Sequence, residues 1–469
     1  MDINKRIVHL IVLACLLFLS IVGYLTYFQV FLASKLIDNP YNKRQWARED
    51  NTLRGIIYDR NSEILADSSL LEGKPVRKYP HGNLYSHIIG YNFKQYGRYG
   101  LEAHYNQDLM NLNPHGTVAK IWEELSGDII QGNNLFLTID HEIQKRTWQL
   151  LENKIGSAIV LNGETGEILA MVSKPDFNPN SLIEDWGNLV NDENSPLLNR
   201  SSSGLYAPGS TYKTVIGAGL LKNRGLVDPN YTCTGSIVID GYRLSDHNMK
   251  AHGDLDLMES MVVSCNTNFA RMAVELGGQR VKEISEDFFM GRAPAGDIPI
   301  KESRFPYSSD IQPTDLAAIG IGQGKILVTP IHMTLIGASF ANGGLMMKPH
   351  IVKELQNPKG HILKRAQVQG DRIVSHEIAQ EIRQMMIEVV QRGTGRAAAI
   401  PGAIVGGKTG TVQNETGKNH AWFIGFAEQE DMQVAIGIIL EQEGQSGGLA
   451  AAPIAREIMA MALRRGVNN

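Results

Sequence analysis

Three short stretches of the chain hold residue types at spacings that suit acyl transfer. The first is Tyr206-Ala207-Pro208-Gly209-Ser210-Thr211-Tyr212-Lys213, followed by the apolar run Thr214-Val215-Ile216-Gly217-Ala218-Gly219-Leu220-Leu221. Pro208-Gly209 breaks the chain, and the run apolar on every side predicts a buried helix opening at Ser210. Ser210 on its own reads as a helix N-cap. A capping box would have Glu or Gln three residues on, and Lys213 stands there instead. A cation at that place meets the positive end of the helix dipole and loses water, and both effects favour the neutral amine. A neutral amine one turn from a hydroxyl is a general base beside its nucleophile. To act near neutrality its pKa must fall from about 10.4 to roughly 7–8, a penalty of about 3–4 kcal/mol on the charged form.

Ser210–Lys213 is the only Ser-x-x-Lys in the chain, and two further stretches follow it. Val263-Ser264-Cys265-Asn266-Thr267 lies between two helical patterns and taken singly reads as a Ser/Asn cap. Gly406-Gly407-Lys408-Thr409-Gly410-Thr411 follows a short apolar strand and taken singly reads equally as a glycine-rich turn with an exposed lysine. Their order, Ser-x-x-Lys then Ser-x-Asn then Lys-Thr-Gly, is the motif set of the serine penicillin-recognising enzymes. Cys265, the middle residue of the second motif, reads as a small buried side chain and not as a nucleophile.

These motifs need a scaffold, and 469 residues are enough for two or three domains. Residues 7–32 carry no formal charge and would form a helix of about 39 Å, enough to cross a hydrocarbon core of about 30 Å. The run is too long for a cleavable signal peptide and reads as a single uncleaved membrane helix, with residues 1–6 as a cytoplasmic tail. Lys35, Lys43, Arg44 and Arg48 outnumber Lys5 and Arg6, so the flanking charges alone leave the orientation open. Residues 33–131 read as short strands and turns. A strand at Leu135–Ile139 and a helix from His141 to Asn153 then open a domain over 132–469. Within it the patterns predict a hairpin between Ser157 and Ser173, helices to about residue 345, strands at Val405–Thr411, Ala421–Phe426 and Met432–Leu440, and a last helix at Ala451–Arg464. This is an α+β arrangement, an antiparallel sheet carrying helices. Net charge is -4 with no sustained basic stretch, which argues against nucleic acid. Three cysteines make no disulfide framework, and no Cys-x-x-Cys or His-Glu-x-x-His spacing suggests a metal.

Taken together the motifs resemble those of the class B penicillin-binding proteins, peptidoglycan D,D-transpeptidases, over essentially the whole chain. Arg54-Gly55-Ile56-Ile57-Tyr58-Asp59-Arg60-Asn61 with Leu65-Ala66 is similar to the signature of that family's amino-terminal pedestal, with Ser62 where glycine is usual. Gly100-Leu101-Glu102, Asn199-Arg200, Gly322-Gln323-Gly324 and Ala421-Trp422-Phe423 also fall where the family has them. The resemblance implies a membrane helix, a small mostly-β pedestal and a penicillin-binding, serine β-lactamase-like transpeptidase domain outside the membrane. It implies that Ser210 attacks the penultimate D-alanine carbonyl of a stem peptide while Lys213 takes its proton. Ser264, aided by Lys408, would pass that proton to the leaving D-alanine, and Asn266 would orient Lys213 and bind the substrate amide. Lys408, Thr409 and Thr411 would hold the terminal carboxylate, and Gly410 would let an extended peptide lie beside its strand. Backbone N–H groups of Ser210 and Thr411 would form the oxyanion hole. No cofactor is implied. Partners implied are peptidoglycan stem peptides, β-lactams as covalent inhibitors and a SEDS-family glycosyltransferase. The rival readings are a membrane-tethered D,D-carboxypeptidase or β-lactamase, for which pedestal signatures are not expected, and a non-catalytic β-lactam sensor or scaffold.

Lys213→Arg tests the neutral-base reading, because arginine keeps the charge and cannot give up its proton. Acylation by a fluorescent penicillin should collapse; near-normal acylation would count against a neutral lysine base.

Overall fold

The computed structural model describes residues 3–32, 46, 49–112, 129–306, 311–413 and 417–466. Lys35, Lys43, Arg44 and Arg48, and the pedestal stretches 33–45 and 113–128, lie outside the described residues. Helix α1 (Ile3–Tyr27) continues into one wider turn, Phe28–Leu32. The 28 residues Lys5–Leu32 are long and apolar enough to cross a membrane, and none is buried against the rest of the chain. An unaccompanied apolar helix of this kind buries its surface only in another apolar phase.

The pedestal is organised around buried charges. Arg54 donates to the Glu102 carboxylate at 2.9 Å and to its backbone carbonyl at 3.0 Å, and reaches Asn106 at 2.7 Å and Glu49 at 3.1 Å. Arg77 holds the other oxygen of the fully buried Glu102 at 2.6 Å. Burial alone would raise the Glu102 carboxyl; Arg77 and Arg54 overcome it and hold it below its ordinary value. Gly100 precedes this pair at φ +65°, and a Cβ there would lie 2.7 Å from the Ile89 carbonyl oxygen. Asp59 accepts from the N–H groups of Asn61, Glu63 and His141 and so ties the signature loop to the next domain. Ser62 sits at φ +70°, the left-handed region, which accounts for the usual glycine there.

A six-stranded sheet joins pedestal to catalytic domain. Its order is Ile362–Arg365, Val352–Gln356, Asn134–Leu137, Ile57–Tyr58, Ile64–Leu71, Lys74–Lys78. Strand Asn134–Leu137 pairs with Ile57–Tyr58 on one side and with Val352–Gln356 on the other.

The second sheet carries the site. It contains β1 (Gly156–Asn162), β2 (Ile168–Lys174), β3 (Ile404–Val412), β4 (His420–Gln429) and β5 (Met432–Leu440), in the antiparallel order β2-β1-β5-β4-β3. β1 and β2 are the expected hairpin, and the three later strands lie where the patterns put them. Both faces are covered, so the strands read as continuous apolar runs instead of alternating ones. On one face Ile159, Leu161 and Ile439 join the core formed with helices α2 (Lys213–Lys222), α3 (Asn266–Leu276) and α4 (Pro330–Ala341). On the other, Ala158, Val160 and Ile438 pack on Ala451, Ala455 and Met459 of α5 (Gly447–Gly466). Helices dominate to about residue 345, as expected, but not without interruption. Strands Tyr231–Cys233, Ser236–Ile239, Tyr242–Ser245 and Gly253–Leu255 interrupt them. The hairpin Ser236–Ser245 turns at Asp240-Gly241, both at positive φ, which is a two-residue turn signal present in the sequence.

Arg54→Ala should leave Glu102 with one guanidinium in place of two. Losing one member of a buried ion network typically costs about 3–5 kcal/mol, so thermal melting in detergent should show a clear fall in Tm.

Candidate active site

Ser210 lies on a 3₁₀ turn, Gly209–Tyr212, and the α-helix proper begins at Lys213. Ser210 makes no side-chain cap, and its partly exposed hydroxyl has no hydrogen-bond partner among the described residues. Thr211 holds the turn instead, donating to the Pro208 carbonyl at 2.6 Å, and Thr214 donates to the Thr211 carbonyl at 2.8 Å. Backbone packing fixes the position of this turn. The Gly209 N–H donates to the Gly322 carbonyl at 2.8 Å. A Cβ on Gly322, which sits at φ +70°, would lie 2.0 Å from the Gly209 carbonyl oxygen. Gly410 of β3 approaches from the other side: a Cβ there would lie 3.1 Å from the Pro208 carbonyl oxygen and 3.2 Å from the Thr211 methyl group. The glycine therefore lets β3 lie against the serine turn. β3 is the edge of its sheet, so one row of its backbone groups has no strand beside it among the described residues.

Lys213 is fully buried. Its Nζ donates to the Ser264 carbonyl at 2.8 Å and to Asn266 Oδ1 at 2.7 Å, and lies 3.3 Å from Ser264 Oγ. Two carbonyl acceptors use both N–H bonds of a neutral amine, which leaves its lone pair free. Burial pushes the Lys213 pKa down to about 8, with the nearby Cys265 and Asp246 acting in the opposite sense. Lys408, also fully buried, reaches the same Ser264 Oγ at 2.8 Å and the Thr409 carbonyl at 3.1 Å. Burial and then the Lys213 charge hold Lys408 well below a lysine's ordinary value. The serine hydroxyl of the second motif is thus a bridge between two lysines whose charged forms are both disfavoured by burial. Ser264 itself sits at φ +60°, uncommon for a residue with a side chain. The Ser264 carbonyl and Asn266 Oδ1, two positions on, both face the Lys213 amine.

Ser210, Lys213, Ser264, Asn266, Lys408, Thr409, Gly410 and Thr411 thus fall within one locality built by the 3₁₀ turn, α2, the start of α3 and β3. Three supporting residues escaped the sequence reading. Asp246 accepts from the N–H of Asn266 and from Thr267 Oγ1 (2.7 Å), anchoring the Ser-x-Asn turn. Thr394 shares a 2.7 Å hydrogen bond with Thr409 Oγ1. Glu441 accepts from Tyr206 OH at 2.7 Å and from Arg200 Nε at 2.6 Å. None has a local sequence signal, because each acts across more than a dozen residues of chain. Trp422, quoted in the sequence, donates its indole N–H to the Ala207 carbonyl at 3.0 Å and pairs with Gly410 across the strands.

Residues 156–460 match the penicillin binding protein transpeptidase domain, and residues 54–135 match the penicillin binding protein A dimerisation domain. The chain belongs to the class B penicillin-binding proteins. Among relatives of this class B protein is peptidoglycan D,D-transpeptidase PbpA of Mycolicibacterium smegmatis, 28% identical over 99% of this chain and 100% of the relative. The ceftriaxone acyl-enzyme of M. tuberculosis penicillin-binding protein A superposes with a TM-score of 0.82 at 27% identity, covering 88% of this chain and 99% of that one. The D,D-transpeptidase domain of a peptidoglycan glycosyltransferase from Eggerthella lenta gives 0.79 at 31% identity, over 89% and 99% of the two chains.

A neutral-base role for Lys213 would fix the sign of the pH dependence. Burial pushes the Lys213 pKa down to about 8, and its protonated form has no lone pair to act, so penicillin acylation should rise with pH through a midpoint near 8. Stopped-flow acylation between pH 6 and 10 checks this; a flat profile would count against the lysine base.

Proposed function

We propose that this chain cross-links peptidoglycan as a serine D,D-transpeptidase acting through an acyl-Ser210 intermediate. The carrying observation is the Ser264 hydroxyl lying 3.3 Å from Lys213 Nζ and 2.8 Å from Lys408 Nζ, beside an uncommitted Ser210. Ser210 Oγ attacks the carbonyl of the penultimate D-alanine, and its proton passes to the Lys213 lone pair. The C–O bond forms, and the tetrahedral carbon carries a negative oxygen. N–H groups of Ser210 and Thr411 receive that charge, and losing one such donor typically costs about 100- to 1,000-fold in rate. The close approach of β3 to the Ser210 turn at Gly410 supports this pairing of donors. Collapse breaks the peptide C–N bond, and the proton reaches the leaving amine through Ser264 and Lys408. Lys408, Thr409 and Thr411 hold the terminal carboxylate, and the Thr394–Thr409 hydrogen bond keeps the Thr409 hydroxyl in place. The open edge of β3 accepts the stem peptide as an added strand. An amine of a second stem then attacks the acyl carbon and frees Ser210. β-Lactams enter by the same first step and remain attached.

The helix α1 anchors the protein, with residues 1–6 in the cytoplasm and the pedestal (33–131) and transpeptidase domain (132–469) on the outer side, where the substrate is. A SEDS-family glycosyltransferase is the partner proposed to supply nascent strands. Mass spectrometry of penicillin-treated protein should find one acyl group, on Ser210. Ser210→Ala should lose both that adduct and dimer formation from stem peptides. An adduct elsewhere would overturn the assignment, and rapid hydrolysis of a chromogenic cephalosporin would overturn transpeptidation.

A further inference from the structure

Away from the serine and its lysines, Glu63, His81 and His141 meet where the pedestal joins the transpeptidase domain. One ligand atom from each lies within 4.8 Å of the other two. Glu63 precedes the strand Ile64–Leu71, His81 precedes the 3₁₀ turn Gly82–Tyr85, and His141 is the first residue of the helix His141–Leu150. His81 Nε2 is 3.0 Å from Glu63 Oε1, yet it is shut off from water and makes no well-aligned hydrogen bond among the described residues. A buried polar atom in that position costs free energy unless an ion or a water meets it. The His81 and His141 rings stand side by side with centroids 4.7 Å apart. Zinc bonds of about 2.0–2.2 Å to nitrogen and oxygen place neighbouring ligand atoms about 2.9–3.5 Å apart. The Glu63–His81 edge is already of that size, and the two edges to His141 are within reach of a side-chain rotation.

We propose that Glu63, His81 and His141 bind a zinc ion that clasps the pedestal to the transpeptidase domain.

Two imidazoles and a carboxylate are a donor set that suits zinc. Each imidazole enters neutral through one nitrogen lone pair and Glu63 enters as carboxylate. Water completes the coordination, and nothing is oxidised or reduced. Outer partners are in place as well. Tyr85 OH lies 2.9 Å from His141 Nδ1, which leaves Nε2 for the ion and fixes the direction of the ring. Asp59, fully buried, accepts from the N–H of Glu63 at 2.8 Å and from the N–H of His141 at 3.1 Å, so one carboxylate holds the backbones of two ligands. The nearby Arg60 and Arg465 pair with Glu167 and Asp140, and the Asp59 charge adds to that of Glu63 in favour of a cation. Asp140 and Glu142 offset the positive end of the helix that carries His141. Gln144 of that helix donates to the Leu84 carbonyl at 3.0 Å, which keeps the turn after His81 against it. An open depression lined by His81, Asn83, His141, Lys145 and Trp148 gives a path from solvent, with Lys145 the one lysine or arginine along it. Intervals of 18 and 60 positions between the three ligands match no short metal motif, which is why the sequence gave no sign of them.

Two ligands come from the pedestal and the third from the next domain. The full set exists only when the two are docked, so the ion stabilises that docking by mass action.

The test uses full-length protein in detergent, stripped with a chelator and returned to zinc. By equilibrium dialysis the wild type should hold about one equivalent more than a His81→Gln/His141→Gln variant. Reading the difference between the two proteins cancels any zinc held elsewhere in the chain. Glu63→Gln is isosteric at a half-exposed position, so it leaves the fold intact, and it should bind at least about 10-fold more weakly. Tyr85→Phe, which removes an outer partner, should weaken binding about 10- to 100-fold, and Glu152→Gln, an exposed carboxylate beyond the same helix, should not. Zinc should also raise the wild-type Tm and protect the amides of 59–66, 79–85 and 140–147 from hydrogen exchange, and Glu63→Gln should blunt both effects. Equal zinc binding by the wild type and the Glu63→Gln and His81→Gln/His141→Gln variants would overturn the proposal and leave a Glu63–His81 ion pair in its place. So would zinc-induced protection of those segments that Glu63→Gln keeps in full.

Discussion

Two lysine amines, Lys213 and Lys408, are withdrawn from water on either side of one serine hydroxyl, and burial disfavours the charged form of each. Much of the catalytic domain serves that constraint. Helix α2 is buried over Lys213–Leu221 because an exposed lysine would keep its proton. The acceptors offered to Lys213 are carbonyl oxygens, which hold an amine in place without the strong stabilisation of the ammonium that a carboxylate in contact would give. Asp246 is near enough to act on Lys213 through space but spends its oxygens on backbone N–H, hydroxyl and thiol groups.

The Ser210 turn is placed by backbone meeting backbone. Gly322 admits a main-chain approach to the Pro208–Ser210 turn that no side chain would allow, Gly410 admits one that would crowd a side chain, and Trp422 closes the turn through Ala207. Main-chain contacts vary less than side-chain rotamers, which suits a hydroxyl that has no hydrogen-bond partner of its own to hold it.

Legibility in the sequence followed the range of the interaction. The Ser210–Lys213 pair is a local spacing and could be read directly, as could the hairpin of β1 and β2 and the strands of the Lys-Thr-Gly region. The 3₁₀ turn at Ser210 was read as helix because both give the same apolar pattern. The positive φ of Ser264 left no trace in residue type, since glycine or asparagine is usual in that conformation. The small strands at 231–255 were missed although Asp240-Gly241 marks their hairpin. Asp246, Thr394 and Glu441 act on partners 15 to 241 positions away, and one sequence has no means of showing which distant side chain a fold will deliver.

The sheet shared by the two domains has a practical consequence for anyone who wants a soluble fragment. Strand Asn134–Leu137 is hydrogen-bonded on both sides, to Ile57–Tyr58 and to Val352–Gln356. Cutting the chain ahead of Asn134 would strip away the Ile57–Tyr58 partner and with it the rest of the pedestal sheet. The buried edge then exposed, including Leu135 and Leu137, would be a ready template for intermolecular pairing. Removing the apolar helix alone leaves every one of those hydrogen bonds intact, so a well-behaved soluble form keeps its pedestal.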